Sequence, residues 1–182
     1  MKNEHIKISK FLSLILRHKP DAIGLKLDEN GWASIDEVIR RAAVSGKNLD
    51  RGVIEKVVAT NDKKRFSISS DGKMIRANQG HSIKVDLDLS PVKPPPVLYH
   101  GTATRFLESI FNQGLHPSGR NHVHLSSDYE TAIKVGKRHG KPVILKVESG
   151  SMESDGHVFY RSENGVWLTK HVPMGYLNVI EE

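Results

Sequence analysis

Ser90-Pro-Val-Lys-Pro-Pro-Pro96 is the stretch that decides how the chain folds, because four of its seven residues are proline. Proline fixes φ and lacks a backbone N–H, so the stretch cannot continue a helix or enter the middle of a sheet. It predicts a stiff linker, residues 90–96, between a first lobe of residues 1–89 and a second lobe of residues 97–182.

The net charge of +6 is divided unevenly by this linker. Residues 1–96 carry 18 Lys and Arg against 12 Asp and Glu, whereas residues 97–182 carry 9 against 9. A basic lobe followed by a neutral one predicts that the first meets a polyanion such as nucleic acid and that the second has another task. A solvated basic surface without any partner fits the same charge.

The composition is that of an ordinary globular chain. Its 182 residues are 37% hydrophobic, enough to bury a core, and the absence of cysteine excludes disulfides and thiolate zinc sites. The first ten residues contain no apolar core of a signal peptide, and no window approaches the roughly 20 apolar residues of a membrane span. We therefore expect a cytoplasmic protein that is neither exported nor embedded in a membrane.

The first lobe shows the periodicity of three helices followed by a β-hairpin. A capping box of Ser34 and Glu37 opens the second helix, and an Asp71-Gly72 turn closes the hairpin. This order predicts a winged helix. The predicted helices cover residues 6–16, 35–45 and 51–59, and the predicted strands cover residues 63–68, 74–76 and 83–89.

Two groups of basic residues in this lobe suit a phosphate. Pro20 ends the first helix, so Arg17, His18 and Lys19 fall at its carboxyl end. Arg65 points away from the core-facing Phe66 on the wing strand. Purely structural interpretations also stand, because cations stabilise a helix carboxyl end by ~0.3–1 kcal/mol and basic residues on a wing are often only solvated.

The second lobe is predicted as an α+β arrangement of many strands and two short helices. Asp128 caps the second of these helices. The predicted strands cover residues 97–102, 142–147, 166–169 and 176–180, and the predicted helices cover residues 105–112 and 129–138.

The stretch Arg120-Asn-His-Val-His-Leu-Ser-Ser127 places an arginine and two histidines on one short extended segment. Val123 and Leu125 alternate with the polar residues, so a strand would bury the two apolar side chains and turn the polar ones to its other face. That polar face suits an anion. An edge strand whose histidines satisfy backbone groups is the alternative.

General nucleotide, hydrolase and metal motifs are missing from the sequence. There is no Gly-x-Gly-x-x-Gly, no Walker-type phosphate loop, no His-Glu-x-x-His and no Gly-x-Ser-x-Gly. Seven of the ten histidines follow Pro96, but no acidic residue lies at ligand spacing from His122 and His124. A metal site is not expected.

Six collinear strings across both halves resemble the RNA (tRNA) 2′-phosphotransferase family. Together they span nearly the whole chain in order, which makes the resemblance specific. The strings are Phe11-Leu-Ser-Leu-Ile-Leu-Arg-His-Lys-Pro20, Asn61-Asp-Lys-Lys-Arg-Phe66, Ile75-Arg-Ala-Asn-Gln-Gly-His-Ser82, Leu98-Tyr-His-Gly-Thr102, His122-Val-His-Leu-Ser126 and Glu163-Asn-Gly-Val-Trp-Leu-Thr169.

This resemblance implies an α+β protein with an N-terminal winged-helix lobe that binds RNA and a C-terminal ADP-ribosyltransferase-like mixed α/β lobe that binds NAD. The implied enzyme transfers the 2′-phosphate of an RNA splice junction to NAD through an RNA-2′-phospho-ADP-ribose intermediate. Its products are 2′-hydroxyl RNA, nicotinamide and ADP-ribose 1″,2″-cyclic phosphate. A tRNA-like RNA is the implied partner, and neither a metal, a membrane nor an obligate protein partner is implied. A monomer is expected.

By resemblance, Arg17, Arg65 and Arg120 are the arginines that bind the phosphate, and His18 contacts it during transesterification. A phosphomonoester near two negative charges suits the forked donors of arginine better than lysine. These arginines lie in both lobes, so the prediction requires the lobes to bring them together. Whether His18 acts as acid, base or hydrogen-bond donor stays open.

On the NAD side, the resemblance assigns His100, Gly101 and Thr102 to the ribose and carboxamide. His124 stands where many relatives of the fold carry a tyrosine under the nicotinamide ring, and Ser126 follows in the same motif. The weaker assignments place Val166 where ADP-ribosyltransferases carry a catalytic glutamate, and Gly136 and Arg138 near the NAD phosphates. A carboxylate at position 166 would repel a substrate phosphate, which itself supplies negative charge.

Two other functions fit parts of the sequence. One is a non-catalytic module that binds RNA and NAD, but pure binding does not require Arg17, His18, Arg65 and Arg120 together. The other is an ADP-ribosyltransferase acting on nucleic-acid phosphate ends, which the missing glutamate weakens. It would leave ADP-ribose on its target instead of a bare 2′-hydroxyl.

Overall fold

The computed structural model describes residues 2–180, with side chains from Glu4 onward. The chain forms two compact units that divide between Asp88 and Leu89. Both units combine helices with small antiparallel sheets, so the mixed α and β class is confirmed.

Over its described residues, 2–88, the first unit contains three α-helices and a three-stranded sheet. Strand β3 lies in the middle of the sheet and pairs antiparallel with β1 on one side and β2 on the other. The elements are α1 (Lys2–Arg17), β1 (Ala33–Ser34), α2 (Ile35–Val44), α3 (Arg51–Ala59), β2 (Phe66–Ile68) and β3 (Met74–Ala77).

The three helices form where the sequence predicts them. The apolar side of α1 contributes the fully buried Leu12, Ile15 and Leu16 to the core, and Pro20 opens a separate 3₁₀ turn after the helix ends. The hydroxyl of Ser34 caps α2 by accepting from the Glu37 N–H at 3.4 Å, as predicted. The Glu37 carboxylate pairs with the guanidinium groups of α2 instead of closing the capping box.

One strand predicted in the first half of the chain does not form, and another is shorter than predicted. Residues 83–89 form no strand, although Leu87 is buried, because the backbone turns to φ 51° at Asp88 and its neighbours form no ladder with another strand. Strand β2 begins only at Phe66, because Lys64 has a left-handed φ of 41° that interrupts an extended run.

The second unit, as described up to Ile180, contains two three-stranded antiparallel sheets and three α-helices. One sheet has the order β4-β6-β9 and the other β5-β8-β7. The elements are β4 (Leu98–Ala103), α4 (Leu107–Gln113), β5 (Val123–Leu125), α5 (Tyr129–Gly136), β6 (Pro142–Val147), α6 (Ser149–Ser154), β7 (Phe159–Arg161), β8 (Trp167–Thr169) and β9 (Leu177–Ile180).

The two sheets share one apolar core, whose fully buried members include Leu98, Leu145 and Met152. A backbone bridge between Tyr99 and Ser126 links β4 to the end of β5. This link places the polar face of β5 beside β4. The short elements α6 and β7 were not predicted from the sequence.

The proline-rich segment lies against the second unit. The Val92 N–H donates to the Phe159 carbonyl at 2.9 Å, and the Pro95 carbonyl accepts from the Ser149 hydroxyl at 2.7 Å. The Pro96 carbonyl accepts from the Gly150 N–H at 3.0 Å. Pro95 and Pro96 therefore supply backbone acceptors to the first two residues of α6. Separately, none of the helices described between residues 2 and 180 combines the length and apolarity needed to cross a bilayer.

Candidate functional site

Arg17 and Arg65 are brought together in the first unit. The Arg17 Nη2 donates to the backbone carbonyl of Arg65 at 3.3 Å, and its guanidinium lies 5.9 Å from the centre of the Phe66 ring. The Arg65 Nη1 donates to the Asn61 side-chain oxygen at 3.2 Å. Two arginines that are 48 positions apart thus arise from the end of α1 and from the residue that precedes β2.

Asn78 organises this arginine pair, although sequence analysis gave it no role. The side chain is 4% exposed and donates to the Lys64 carbonyl at 2.7 Å while accepting from the Ser67 hydroxyl at 2.7 Å. Its backbone N–H donates to the same Arg65 carbonyl that Arg17 contacts, at 2.9 Å. The left-handed backbone at Lys64 is strained, and the hydrogen bonds of Asn78 hold it in this conformation.

His18 is exposed at the carboxyl end of α1 and contacts a residue far along the chain. Its Nδ1 lies 2.9 Å from the Ser82 hydroxyl, and the Ser82 N–H donates to the Arg17 carbonyl at 3.0 Å. The loop after β3 therefore fixes both the last turn of α1 and one nitrogen of the His18 ring.

His81 is a further titratable group beside these residues. The ring is 2% exposed, and neither of its nitrogens has a hydrogen-bond partner among the described residues. Burial, together with the positive groups of Arg17, His18 and Arg76, lowers the pKa of His81 to about 4. The imidazole is therefore neutral at physiological pH, and it adds no charge to the cluster.

In the second unit, β4 and β5 place His100 beside His124. The His100 Nδ1 lies 3.0 Å from the His124 carbonyl, which can only accept, so Nδ1 carries the proton. Burial lowers the pKa of His100 from its ordinary value, against the raising effect of this hydrogen bond, and the nearby His139 lowers it too. The ring is thus neutral, with Nε2 as a hydrogen-bond acceptor.

Arg120 fixes the opposite tautomer in His124. Its Nη1 donates to the His124 Nδ1 at 3.0 Å, and a nitrogen that accepts a hydrogen bond carries no proton. The proton of the neutral His124 ring therefore lies on Nε2. Desolvation lowers the pKa of Arg120 from its ordinary value, but an arginine remains charged at every physiological pH.

The structure gives two of the predicted NAD-side residues a packing role and a third a capping role. A methyl group on Gly101 would lie 1.8 Å from the Ala132 carbonyl oxygen, and one on Gly136 would lie 2.7 Å from the Thr102 carbonyl oxygen. Both glycines thus permit the close approach of β4 and α5. The Ser126 hydroxyl caps the turn before α5 through the Asp128 backbone.

The remaining predicted residues lie around this pair of histidines. Thr102 is 5% exposed in β4, next to Gly101. Val166 immediately precedes β8, whose first residue, Trp167, pairs with Leu125 of β5. The exposed Arg138 follows the end of α5 and is next to His139. The convergence of Arg17 and Arg65 with Arg120 of the second unit stays a prediction.

In the part of the chain that the structure describes, no three His, Asp or Glu side chains gather as metal ligands would. The groups that do gather are arginines and neutral imidazoles. Guanidinium forks bind phosphate oxygens, and imidazoles with defined tautomers offer one donor or one acceptor each. The chemistry available is therefore anion binding with directed proton exchange.

Comparison with known proteins places the chain in the class of transferases that act on phosphate groups. The family described as "RNA 2'-phosphotransferase, Tpt1 / KptA family" matches residues 3–171. The chain belongs to this family, and the family predicted from the sequence is confirmed.

Three relatives illustrate the similarity, and each is called "Probable RNA 2'-phosphotransferase". The relative from Acaryochloris marina is 61% identical over 174 residues, 96% of each chain. The one from Agrobacterium fabrum is 57% identical, over 94% of this chain and 92% of its own. The one from Flavobacterium johnsoniae is 55% identical, over 96% of this chain and 97% of its own. The prediction of an enzyme is confirmed at this level.

Proposed function

We propose that the protein is an NAD-dependent RNA 2′-phosphotransferase. The 2′-phosphate of an RNA attacks the nicotinamide ribose of NAD at C1″ and releases nicotinamide. The ribose O2″ of the resulting RNA-2′-phospho-ADP-ribose then attacks the phosphorus. The products are 2′-hydroxyl RNA and ADP-ribose 1″,2″-cyclic phosphate, and no step is assigned to a metal.

The observation that carries this proposal is the family match over residues 3–171, because it includes every residue to which we assign a role. It covers the arginines and His18 of the first unit together with the histidines of the second. A partial match limited to one unit would have supported binding of RNA or of a nucleotide only.

We infer that the first unit is a winged-helix lobe and the second an ADP-ribosyltransferase-like lobe. The order of three helices followed by the β2–β3 hairpin, with β1 completing the sheet, supports the first assignment. Two small antiparallel sheets joined at Tyr99 and Ser126 support the second. In this scheme the first unit binds a tRNA-like RNA and the second binds NAD.

We assign phosphate binding to Arg17, Arg65 and Arg120. A phosphomonoester carries close to two negative charges at neutral pH, and forked guanidinium donors bind it with both charge and direction. A guanidinium carries five N–H donors, and Arg17 directs one of them to the Arg65 carbonyl. His18 is assigned to proton transfer in the transesterification step.

We assign NAD binding to the second unit, with His100 and His124 as its best-defined polar contacts. The His100 Nε2 accepts a hydrogen bond, which suits a ribose hydroxyl, and the His124 Nε2–H donates one. Gly101, Thr102, Ser126, Gly136, Arg138 and Val166 complete the assignment. The apolar Val166 adds no carboxylate that would repel the attacking phosphate.

The test compares two oligonucleotides of one sequence, one with a single internal 2′-phosphate and one with a 2′-hydroxyl at that position. With NAD and a chelator present, we expect nicotinamide release only with the phosphorylated oligonucleotide, which loses its phosphate. An oligonucleotide left unchanged would refute the proposal. An oligonucleotide that retains ADP-ribose after exhaustive reaction would instead indicate an ADP-ribosyltransferase acting on nucleic-acid phosphates.

A further inference from the structure

Ser82 makes two contacts with the carboxyl end of α1. Its backbone N–H donates to the Arg17 carbonyl at 3.0 Å, and its hydroxyl lies 2.9 Å from the His18 Nδ1. One residue therefore fixes both the backbone that carries His18 and one of the two ring nitrogens. The functional assignments above give Ser82 no role.

We propose that Ser82 is a positioning residue that sets the tautomer of His18, accepting its Nδ1–H so that Nε2 is the nitrogen that takes up a proton. This inference rests on the proposed function and deepens it. It assigns His18 the role of a base at the start of transesterification and of an acid at its end.

The direction of the Ser82 hydrogen bond follows from the step that His18 performs. A hydroxyl can donate or accept, so the serine alone fixes neither tautomer. A base needs a lone pair on the nitrogen that meets the substrate, and when that nitrogen is Nε2 the proton must lie on Nδ1. Nδ1 then donates to the Ser82 oxygen both before and after proton uptake.

A neutral partner for His18 suits the charges around it. Arg17 precedes it in the chain, and the positive groups of Arg17 and of Arg76 in β3 both act on the buried, neutral His81. These two guanidinium groups favour an incoming phosphate. A carboxylate in the place of Ser82 would also hold Nδ1–H, but it would repel that phosphate, whereas a hydroxyl adds no charge.

The proton and bonds in this step balance. The proton of the ribose O2″–H moves to the His18 Nε2 while O2″ forms a bond to phosphorus. The bond between phosphorus and the RNA O2′ breaks, and the proton on Nε2 moves to O2′. Nothing is oxidised, and His18 ends in the tautomer in which it began.

The test uses Ser82→Ala, which removes the hydroxyl, and Ser82→Thr, which retains it. Ser70→Ala, at an exposed serine of the β2–β3 hairpin, is the matched control. Single-turnover reactions with NAD and a 2′-phosphorylated oligonucleotide are followed for nicotinamide release, for RNA-2′-phospho-ADP-ribose and for the final 2′-hydroxyl RNA.

In Ser82→Ala we expect nicotinamide release at nearly the original rate and a second step slowed roughly 10- to 100-fold, part of the ~10²–10⁴ that acid–base catalysis supplies. The intermediate should accumulate. Ser82→Thr should restore the second step, and Ser70→Ala should match the original protein. Equal slowing of both steps in Ser82→Ala, or an unchanged second step, would overturn the inference.

Nitrogen NMR of the His18 ring gives a readout that does not depend on activity. At a pH where the ring is neutral, we expect the Nδ1–H tautomer in the original protein and a shift towards Nε2–H in Ser82→Ala. A ring that is predominantly Nε2–H in the original protein would contradict the inference. Failure of the proposed function itself looks different, because the original protein would then form neither intermediate nor product.

Discussion

A buried imidazole ordinarily finds a hydrogen-bond partner, whereas the His81 nitrogens have none among the described residues. The folded chain therefore disfavours a proton on His81, and the pKa of this ring is about 4 against an ordinary value of 6.5. Below pH 6.5 the His81 ring becomes protonated in the unfolded chain but stays largely neutral in the folded chain. Stability is therefore lost as the pH falls from 6.5 to 4, and this loss levels off below pH 4.

His81→Leu tests this account through the pH dependence of unfolding. Relative to the variant, the original protein should lose on the order of 3 kcal/mol of unfolding free energy between pH 6.5 and 4. The loss arises because burial disfavours the protonated His81 ring in the folded state. Urea unfolding at several pH values measures the difference. The control is His116→Leu, at an exposed histidine. Parallel curves of unfolding free energy against pH for the original protein and His81→Leu would contradict the account.

Arg17→Lys keeps a positive charge but removes the guanidinium fork. We expect kcat/KM for the phosphorylated oligonucleotide to fall by about 10²-fold, because one ammonium cannot both contact the Arg65 carbonyl and bind a phosphate in two places. Steady-state kinetics measure the change. Arg40→Lys, at an exposed arginine paired with Glu37, should have little effect. Full activity in Arg17→Lys would remove Arg17 from the phosphate site.

Arg120→Ala separates the two substrates. We expect NAD affinity to remain within about 10-fold, since one lost hydrogen bond to the His124 ring costs roughly 0.5–1.5 kcal/mol, whereas transfer to RNA is lost. Calorimetric titration with NAD and a turnover assay give the two readouts. Complete loss of NAD affinity would show that Arg120 belongs to the nucleotide pocket.

The sequence indicated which individual residues suit a phosphate, but it did not indicate which residues hold them in position. Arg17, His18 and Arg65 could be named from the strings they occupy. Asn78 and Ser82 lie in one of those strings, Ile75–Ser82, yet their roles depend on contacts with residues 14 and 64 positions away, which no local pattern reveals.

The helices were predictable because periodicity and capping are local properties. Asp128 caps α5 at the predicted position by accepting from the Thr131 N–H. Asp50 caps α3 in the same way by accepting from the Val53 N–H, although this cap was not predicted. The strand predicted over residues 83–89 was wrong, since alternation only shows which side chains are apolar. It does not supply the neighbouring strand that a ladder requires.

The contact between β4 and α5 yields a prediction about stability. In Gly101→Ala the new methyl group would meet the Ala132 carbonyl at 1.8 Å, so the strand and the helix must separate. We expect a loss of at least about 3 kcal/mol in unfolding free energy, at the upper end of overpacking costs. Gly175→Ala is the matched control, because an added Cβ meets nothing within 4 Å there. Equal midpoints of urea unfolding for Gly101→Ala and Gly175→Ala would contradict this packing.

The whole molecule has its positive excess in residues 1–96, with 18 basic against 12 acidic residues, while residues 97–182 carry 9 of each. If the first unit binds RNA and the second NAD, the two substrates must differ in their response to salt. Raising salt from about 50 to about 200 mM should increase KM for the oligonucleotide ~10-fold or more, through lost phosphate contacts. KM for NAD should change less than about 3-fold. Equal salt dependence of both would argue against this division.

The central claim is that the chain moves a phosphate from RNA to ADP-ribose. Mass spectrometry of the NAD-derived product tests it most directly, after incubation with NAD and an internally 2′-phosphorylated oligonucleotide in the presence of a chelator. The account predicts ADP-ribose 1″,2″-cyclic phosphate in amounts equal to the 2′-hydroxyl RNA formed. Free ADP-ribose alone, or ADP-ribose that remains attached to the oligonucleotide, would contradict it.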